Sequence, residues 1–152
     1  MRPHGAGRSG SVLLAALALS AFAATGCGTE EKLGKSELVE QANGICEPHN
    51  EKIEAASGEL PAAGQPAAKK KRRELVRGTI APELRAQITE LRGLRPADDL
   101  AGDYTKWLDD ADVALGEIST DPSTITNPAN FETVNSEAAD LGVSRDCYIG
   151  PG

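Results

Sequence analysis

The amino-acid sequence predicts an all-α protein, an up-down four-helix bundle with a shorter fourth helix and one disulfide. Aromatic residues make up only 3% of the 152 residues, and β-branched residues are thinly scattered. That composition leaves little for the strands of a sandwich or barrel. Apolar residues recur at spacings of three and four in four stretches, which indicates amphipathic helices. Short loops between the stretches favour antiparallel neighbours. A chain of this length is predicted to form one domain.

The chain begins with a segment typical of a secretory signal peptide. Arg2, His4 and Arg8 form a basic start without acids, and residues 12–24 are then almost entirely apolar. This order of basic and apolar regions is typical of export signals. The apolar run is shorter than the roughly 20 residues that a transmembrane helix needs. We therefore predict a cleaved signal peptide over residues 1–26.

The residues around the predicted cleavage site resemble the bacterial lipobox. Thr25, Gly26 and Cys27 match this motif, and Ala24 stands where leucine is usual. The resemblance implies that Cys27 carries diacylglycerol and fatty acid such as palmitate after cleavage. Ordinary signal cleavage, with Cys27 as a chance residue, is the alternative. Residues 27–35 are then a short polar tether, and the protein is expected on the extracytoplasmic face of the cell membrane, anchored by its lipid.

The first two helices are predicted from capping residues and periodicity. Ser36 is the expected N-cap of the first helix, because acids follow it in the first turn. Two prolines and two glycines in residues 58–66 mark the first loop. The second helix ends before Pro96. The predicted spans are 36–58 and 67–94.

The remaining two helices begin at prolines and end at turn residues. Pro96 is suited to the opening of the third helix, and Asn127 with Pro128 to the start of the fourth. Gly142 supplies the left-handed stop of the fourth helix, and Val143 the accompanying hydrophobic contact. The predicted spans are 96–119 and 127–141.

Three cysteines leave one pair once Cys27 is assigned to lipid. In an exported protein, Cys46 and Cys147 are expected to form a disulfide. The folded domain is then predicted over residues 36–147, with a C-terminal tail at 148–152. The alternative is a metal- or redox-responsive module, because Cys46 and His49 have a C-x-x-H spacing and Cys147 would be a third ligand. We expect the disulfide, with no bound metal or cofactor.

A run of five bases interrupts the otherwise acidic domain. Its members are Lys69, Lys70, Lys71, Arg72 and Arg73. One interpretation is contact with anionic lipid headgroups, and the simpler one is a solvated helix face. The formal net charge of −7 argues against nucleic acid as a partner.

Two Gly-x-x-x-Pro spacings predict kinks in the first two helices. Gly44 precedes Pro48 by four residues, and Gly78 precedes Pro82 by four. A helical proline clashes with the carbonyl four residues back, where glycine gives the backbone freedom to yield. In an antiparallel pair the two kinks lie at similar levels. They either frame a pocket between the two helices or are incidental.

Candidate catalytic residues are few. His49 is the single histidine after residue 26, and the sequence contains no G-x-S-x-G, glycine-rich phosphate loop or H-E-x-x-H motif. Tyr104 and Trp107 are expected in the core rather than in a ligand slot. We therefore do not expect an enzyme.

Beyond its signal sequence, the chain resembles small, Ala-rich, all-helical lipoproteins of high-GC Gram-positive bacteria. The resemblance lies in residues 42–46 (ANGIC), 91–96 (LRGLRP), 104–108 (YTKWL) and 141–142 (LG), with Cys147 near the end. It implies an extracytoplasmic helical domain with paired cysteines and no established activity. The resulting hypothesis is a binding or interaction module of the cell envelope, held to the membrane by its N-terminal lipid. Its partner is an unidentified envelope protein or small ligand.

Overall fold

The protein is described here from a computed structural model, which covers residues 31–61 and 68–150. The predicted signal peptide over 1–26 and the lipidation site Cys27 lie outside these residues. In the described part of the chain, no helix combines the length and the hydropathy needed to cross a membrane.

Four antiparallel helical rods confirm the all-α prediction. The second rod is continuous but contains a π-helical turn at Val76–Ile80. We number the α-helices in chain order: α1 (Lys35–Gly58), α2 (Ala68–Leu75), α3 (Ala81–Leu91), α4 (Asp98–Thr120) and α5 (Glu132–Leu141). Helix α3 lies between α1 and α4, and α5 packs on the other side of α4.

The π-turn has a local cause in Pro82. Its ring would clash with the carbonyl of Gly78 in an ordinary α-helix, and it has no N–H to donate. The backbone widens before the proline, and the N–H of Ala81 donates to the carbonyl of Val76, five residues back. The predicted kink at Gly78 and Pro82 therefore takes the form of a π-turn, whereas α1 remains helical through Pro48.

The start of α1 differs from the prediction. The helix begins at Lys35, preceded by Gly34 as N-cap, so the assignment of Ser36 as the cap is wrong. The carboxylate of Glu37 accepts a hydrogen bond from the N–H of Gly34 at 3.2 Å. This contact satisfies a backbone donor that no helical carbonyl reaches.

Leu33, which the sequence placed within a free tether, is docked on the turn between α3 and α4. Its N–H donates to the carbonyl of Arg95 at 2.7 Å, and its carbonyl accepts from the N–H of Ala97 at 2.9 Å. Beside it, the ammonium of Lys32 pairs with Asp98. We call the two backbone hydrogen bonds of Leu33 the N-terminal clamp. The tether therefore ends before Leu33.

The fourth rod follows the prediction closely. A 3₁₀ turn over Pro128–Phe131 leads into α5, and the side chain of Asn127 accepts from the N–H of Ala129 at 3.3 Å. At the other end Gly142 has a φ of 90°, in the left-handed region that glycine tolerates. It lies beside the first turns of α1, as the up-down topology predicts.

The core is centred on the contact between α3 and α4. Tyr104 and Trp107 are buried there, with ring centroids 5.6 Å apart in an edge-to-face arrangement. The hydroxyl of Tyr104 donates to the carbonyl of Leu91 at 2.8 Å. Burial raises the pKa of Tyr104, and the nearby Arg92 offsets this only in part. Both aromatic residues are thus core, as predicted, and neither lines a ligand slot.

Candidate functional site

A segment after α5 runs back along α1 and closes the bundle. We call Val143–Gly150 the C-terminal strap. The N–H of Ser144 in the strap donates to the side-chain oxygen of Asn43 at 2.7 Å. One turn further along α1, Cys46 is bonded to Cys147, with their Cα atoms 5.0 Å apart. The predicted disulfide is confirmed, and the strap reaches it as a 3₁₀ turn rather than as fully extended chain.

Two more polar contacts hold the strap in place. The amide of Asn50 donates to Asp146 at 3.2 Å. On α5, Asn135 both accepts from the N–H of Ile149 and donates to its carbonyl, each at 2.9 Å. Ile149 is only 2% exposed. Residues 148–150 therefore belong to the folded domain, although the sequence placed them in a tail.

The strap ends against an aromatic ring. Gly150 has a φ of 78°, and a Cβ built there would lie 2.2 Å from the ring of Phe131. Phe131 is itself fully buried. A glycine is therefore required where the backbone crosses this ring.

Two strap side chains have polar groups without a partner among the described residues. Arg145 is exposed, and no ion pair or hydrogen bond joins its guanidinium to the rest of the described chain. The ring of Tyr148 packs against the core, while its hydroxyl has no hydrogen-bond partner among the described residues. Val143, Cys147 and Ile149 are buried. Ser144 and Asp146 are hydrogen-bonded to Asn43 and Asn50 of α1 and to each other.

A cleft of about 580 Å³ opens between α1, the π-turn and the strap; we call it the first cleft. Apolar side chains form its floor: Ile53, Leu60, Ile80, Leu84 and Ile125. Its rim is polar and includes Asn50, Glu54, Ser57, Thr126, Arg145, Asp146 and Tyr148. An apolar floor with a few polar groups at the edge is typical of small-ligand sites.

A second, more open cleft of about 580 Å³ lies on the other side of the strap. It is bounded by Pro128 and Ala129 before α5, and by Glu132, Asn135 and Ser136 on α5. Arg145 and Tyr148 line this second cleft as well as the first. These two side chains therefore form a ridge between the clefts.

The two Gly-x-x-x-Pro spacings do not frame the first cleft, because none of their glycines and prolines lines it. Ile80 of the π-turn and Leu84 contribute to it, whereas Gly44 and Pro48 do not. The strap and the loop after α4 supply the remaining walls. Sequence reasoning missed these because nothing in the helical periodicity places them against α1.

His49 belongs to a polar contact between α1 and α3, outside both clefts. The residue is 7% exposed, and its Nδ1 lies 2.8 Å from Glu83 and its Nε2 3.2 Å from Glu90. Lys52 also contacts Glu83, at 3.0 Å. The hydrogen bond from His49, followed by that from Lys52, lowers the pKa of Glu83. The imidazole therefore holds two helices together through their carboxylates.

The three residues proposed as metal ligands do not form a metal site. The sulfurs of Cys46 and Cys147 are bonded to each other, and His49 contacts carboxylates of α3. Across residues 31–61 and 68–150, no group of three or more His, Cys, Asp or Glu side chains is arranged to hold a metal ion. Both sulfurs are buried, and the amide of Gln87 donates to Cys46 at 3.4 Å. Burial shields the bond from soluble reductants.

The basic run lies at the end of α1 that is opposite the N-terminal clamp. Lys71 pairs with Glu59, immediately after α1, at 2.9 Å, and Lys70 lies 3.8 Å from Glu74. Arg72 is half-buried, while Lys69, Lys70, Lys71 and Arg73 are exposed. Helix α1 has no base in its last turn, so the run supplies the positive charge that its C-terminal dipole favours.

The acidic face of α4 is partly neutralised by a single arginine. Arg92 pairs with Asp109 at 2.8 Å and with Asp112 at 2.6 Å. These two carboxylates, Asp109 first, raise the pKa of Arg92. This face is thus less available to a basic partner than its sequence indicates.

Comparison of the chain with protein-family models, with curated proteins and with solved structures finds no match. The proposed function is therefore based on the geometry of the clefts and the strap.

Proposed function

We propose that this protein is a membrane-anchored extracytoplasmic lipoprotein whose bundle binds a small ligand in the first cleft. The observation that carries the proposal is the cleft itself. Its volume of about 580 Å³ lies within the roughly 300–1,000 Å³ range of ligand sites. One wall is held by a disulfide and by asparagine side chains, so the cleft exists before any ligand arrives.

Binding is proposed rather than catalysis. His49 supports this, because both of its ring nitrogens contact carboxylates and it lines neither cleft. The first cleft instead offers amide, hydroxyl and charged groups around an apolar floor.

The proposed lipid anchor sets the distance between the bundle and the bilayer. If Cys27 carries the lipid, the N-terminal clamp leaves only residues 28–32 as free tether. The six Cα–Cα steps from Cys27 to Leu33 span at most about 22 Å. The end of the bundle nearest Leu33 then faces the membrane.

The same geometry turns the first cleft away from the bilayer. The α1 residues that line the cleft, Asn50 to Ser57, lie in its second half, whereas Leu33 precedes its first residue. A helix of 24 residues is about 36 Å long. In an upright bundle, a ligand therefore enters the cleft from the aqueous side.

An upright bundle also separates the basic run from the lipid headgroups. Residues 69–73 lie beside Glu59, at the far end of α1. Headgroup contact would require the bundle to lie flat, so we propose that the run is a solvated face. Replacing all five bases by glutamine should leave binding of the unlipidated chain to anionic vesicles unchanged. If the variant binds the vesicles much more weakly than the parent chain, and this difference disappears at high salt, headgroup contact is favoured instead.

Dye binding, with and without a large side chain that blocks the first cleft, tests whether the cleft binds a ligand. The probe is N-phenyl-1-naphthylamine, a neutral aromatic dye, added to the mature chain carrying Cys27→Ser so that no lipid or detergent competes. We expect saturable binding that Ser57→Trp abolishes, because Ser57 is half-buried and lines the cleft. The control is Ala55→Trp, an exposed position of α1 outside the cleft, which should bind like the parent chain.

Two results would contradict the cleft proposal. One is an absence of saturable binding to the parent chain. The other is equal binding by the Ser57→Trp variant when its thermal unfolding is unchanged. The anchor is tested separately: Cys27→Ser should move the protein from the membrane fraction to the soluble fraction without altering the fold.

A further inference from the structure

We propose that the ligand carries an anionic group beside an apolar body, and that Arg145 binds the anion at the ridge between the two clefts. This inference rests on the proposed function and specifies the chemistry of its ligand. The apolar body would occupy the first cleft, whose floor is formed by isoleucine and leucine side chains.

The position of Arg145 is the first argument. It lines both clefts, and it is the only base in the lining of either. A group bound next to its guanidinium is thus adjacent to the apolar floor. Tyr148 shares the ridge, and its hydroxyl offers a further donor to the same group.

The support beneath Arg145 is the second argument. Its neighbours Ser144 and Asp146 are bonded to Asn43 and Asn50 of α1, and Cys147 is tied by the disulfide. The backbone at Arg145 is therefore held by a contact on each side. A guanidinium presented from a rigid support loses less freedom when it binds an anion in two-point fashion.

The carboxylates that line the two clefts do not pair with Arg145. Both oxygens of Asp146 accept hydrogen bonds, one from Asn50 and one from Ser144. Glu54 lines only the first cleft and Glu132 only the second, and neither forms an ion pair with Arg145. The guanidinium is thus the one uncommitted charge common to both clefts. A carboxylate, sulfonate or phosphate matches its planar donors.

A pair of probes that differ by one charge tests this inference. The dye 8-anilino-1-naphthalenesulfonate has the same rings as N-phenyl-1-naphthylamine and adds a sulfonate. The mature chain with Cys27→Ser should bind the sulfonate about 10-fold more tightly, as expected for a charge-assisted hydrogen bond. Arg145→Gln should remove that advantage, so that the variant binds the two dyes with similar affinity.

Two variants serve as controls for charge. Arg85→Gln makes the same change of charge on an exposed residue of α3 outside both clefts, and it should leave the sulfonate's affinity unchanged. Glu54→Gln removes a rim carboxylate and should strengthen sulfonate binding.

The outcomes distinguish this inference from the proposed function. Saturable binding of the neutral dye with no preference for the sulfonate would overturn the assignment of Arg145 and leave the cleft as a binding site. An equal loss of sulfonate binding in Arg85→Gln would show that only net charge matters, which also overturns it. Tighter binding of a cationic derivative of the same rings would assign the cleft to cations. If neither dye saturates, the proposed function itself fails.

Discussion

The N-terminal clamp and the C-terminal strap are both irregular segments docked on the bundle, but they are held by different means. Leu33 is attached through its own backbone, to Arg95 and Ala97. The strap is attached through side chains of the helices, including three asparagines and one cysteine. Leu33 lines neither the first nor the second cleft, whereas the strap forms a wall of both.

Under the proposed function, the fold separates attachment, at the N-terminal clamp, from ligand recognition, at the strap. Backbone pairing at Leu33 depends little on side-chain identity, and it positions the bundle relative to whatever precedes it. Side-chain contacts at the strap specify which residues face inward, and the polar groups of Arg145 and Tyr148 are left without a partner among the described residues. The two segments should therefore respond differently to mutation.

The largest effect is expected from Cys147→Ala. Loss of the disulfide should lower the free energy of unfolding by about 2 to 5 kcal/mol, the usual cost in a small secreted domain. Detachment should begin at the strap and α5, so amides of residues 143–149 should exchange early while α1, α3 and α4 stay protected. Urea unfolding and hydrogen exchange measure both. An unchanged urea midpoint would contradict a stabilising role for the disulfide between Cys46 and Cys147.

Asn135→Ala should have the next largest effect. It leaves both the N–H and the carbonyl of Ile149 without a partner in a buried setting, at a cost of about 1 to 3 kcal/mol. The exchange of the Ile149 amide should accelerate more than that of the Leu33 amide. Ser136→Ala, the exposed neighbour, is the control and should leave the urea midpoint unchanged. Equal midpoints for both variants would show that this contact is dispensable.

Leu33→Pro tests the N-terminal clamp and should cost less. It removes the donor to Arg95 and so one hydrogen bond, worth about 1 kcal/mol. Leu33→Ala keeps the N–H and shortens the side chain, so it controls for the loss of side-chain packing. Ligand binding in the first cleft should not change in either. If Leu33→Pro weakens dye binding in the first cleft, the two segments are not independent.

Acid should produce the smallest effect, at the contact of Glu83 with His49 and Lys52 of α1. The pKa of Glu83 is lowered from 4.5 in the folded protein, chiefly by its hydrogen bond with His49. Its contribution to stability is therefore present above pH 4.5 and is lost as the pH falls through the lowered value. Glu83→Gln should reduce the loss of stability between pH 6 and 3, measured by urea unfolding, with Glu40→Gln as an exposed control on α1. Identical pH profiles would contradict this role.

The sequence predicted the helical rods and the disulfide because both have strong local signals. Apolar residues at helical spacing mark α1, α3 and α4, and the odd cysteine count paired Cys46 with Cys147 once Cys27 was assigned elsewhere. Gly142 was recognised as a helix stop because only a residue tolerant of positive φ fits there. These features depend on residues close in sequence or on simple counting.

The remaining features had weaker signals. Pairing at Leu33 is made by backbone atoms, which every residue except proline carries in full, so the docked end of the tether could not be predicted. The first cleft combines four parts of the chain that are distant in sequence.

The docked strap did have a signal in the sequence. Asn43, Asn50 and Asn135 lie within helices, where asparagine is unfavourable unless its amide has a partner. Together with the apolar Val143, Cys147 and Ile149, they indicate a docked C-terminal segment.

The strap also sets the order in which the fold can be completed. Cys46 and Cys147 are 101 positions apart, and helices α1 to α5 all precede the strap in the chain. A polypeptide that is synthesised, or that crosses a membrane, with its N-terminus first can pair α1 with α3 and α3 with α4 early. The surface of α1 that the strap covers stays exposed, and the thiol of Cys46 stays unpaired, until the strap docks. Contacts of such long sequence separation form slowly. We therefore expect the wall that the strap gives both clefts to form late in folding, when oxidation of the Cys46 and Cys147 thiols joins the strap to α1.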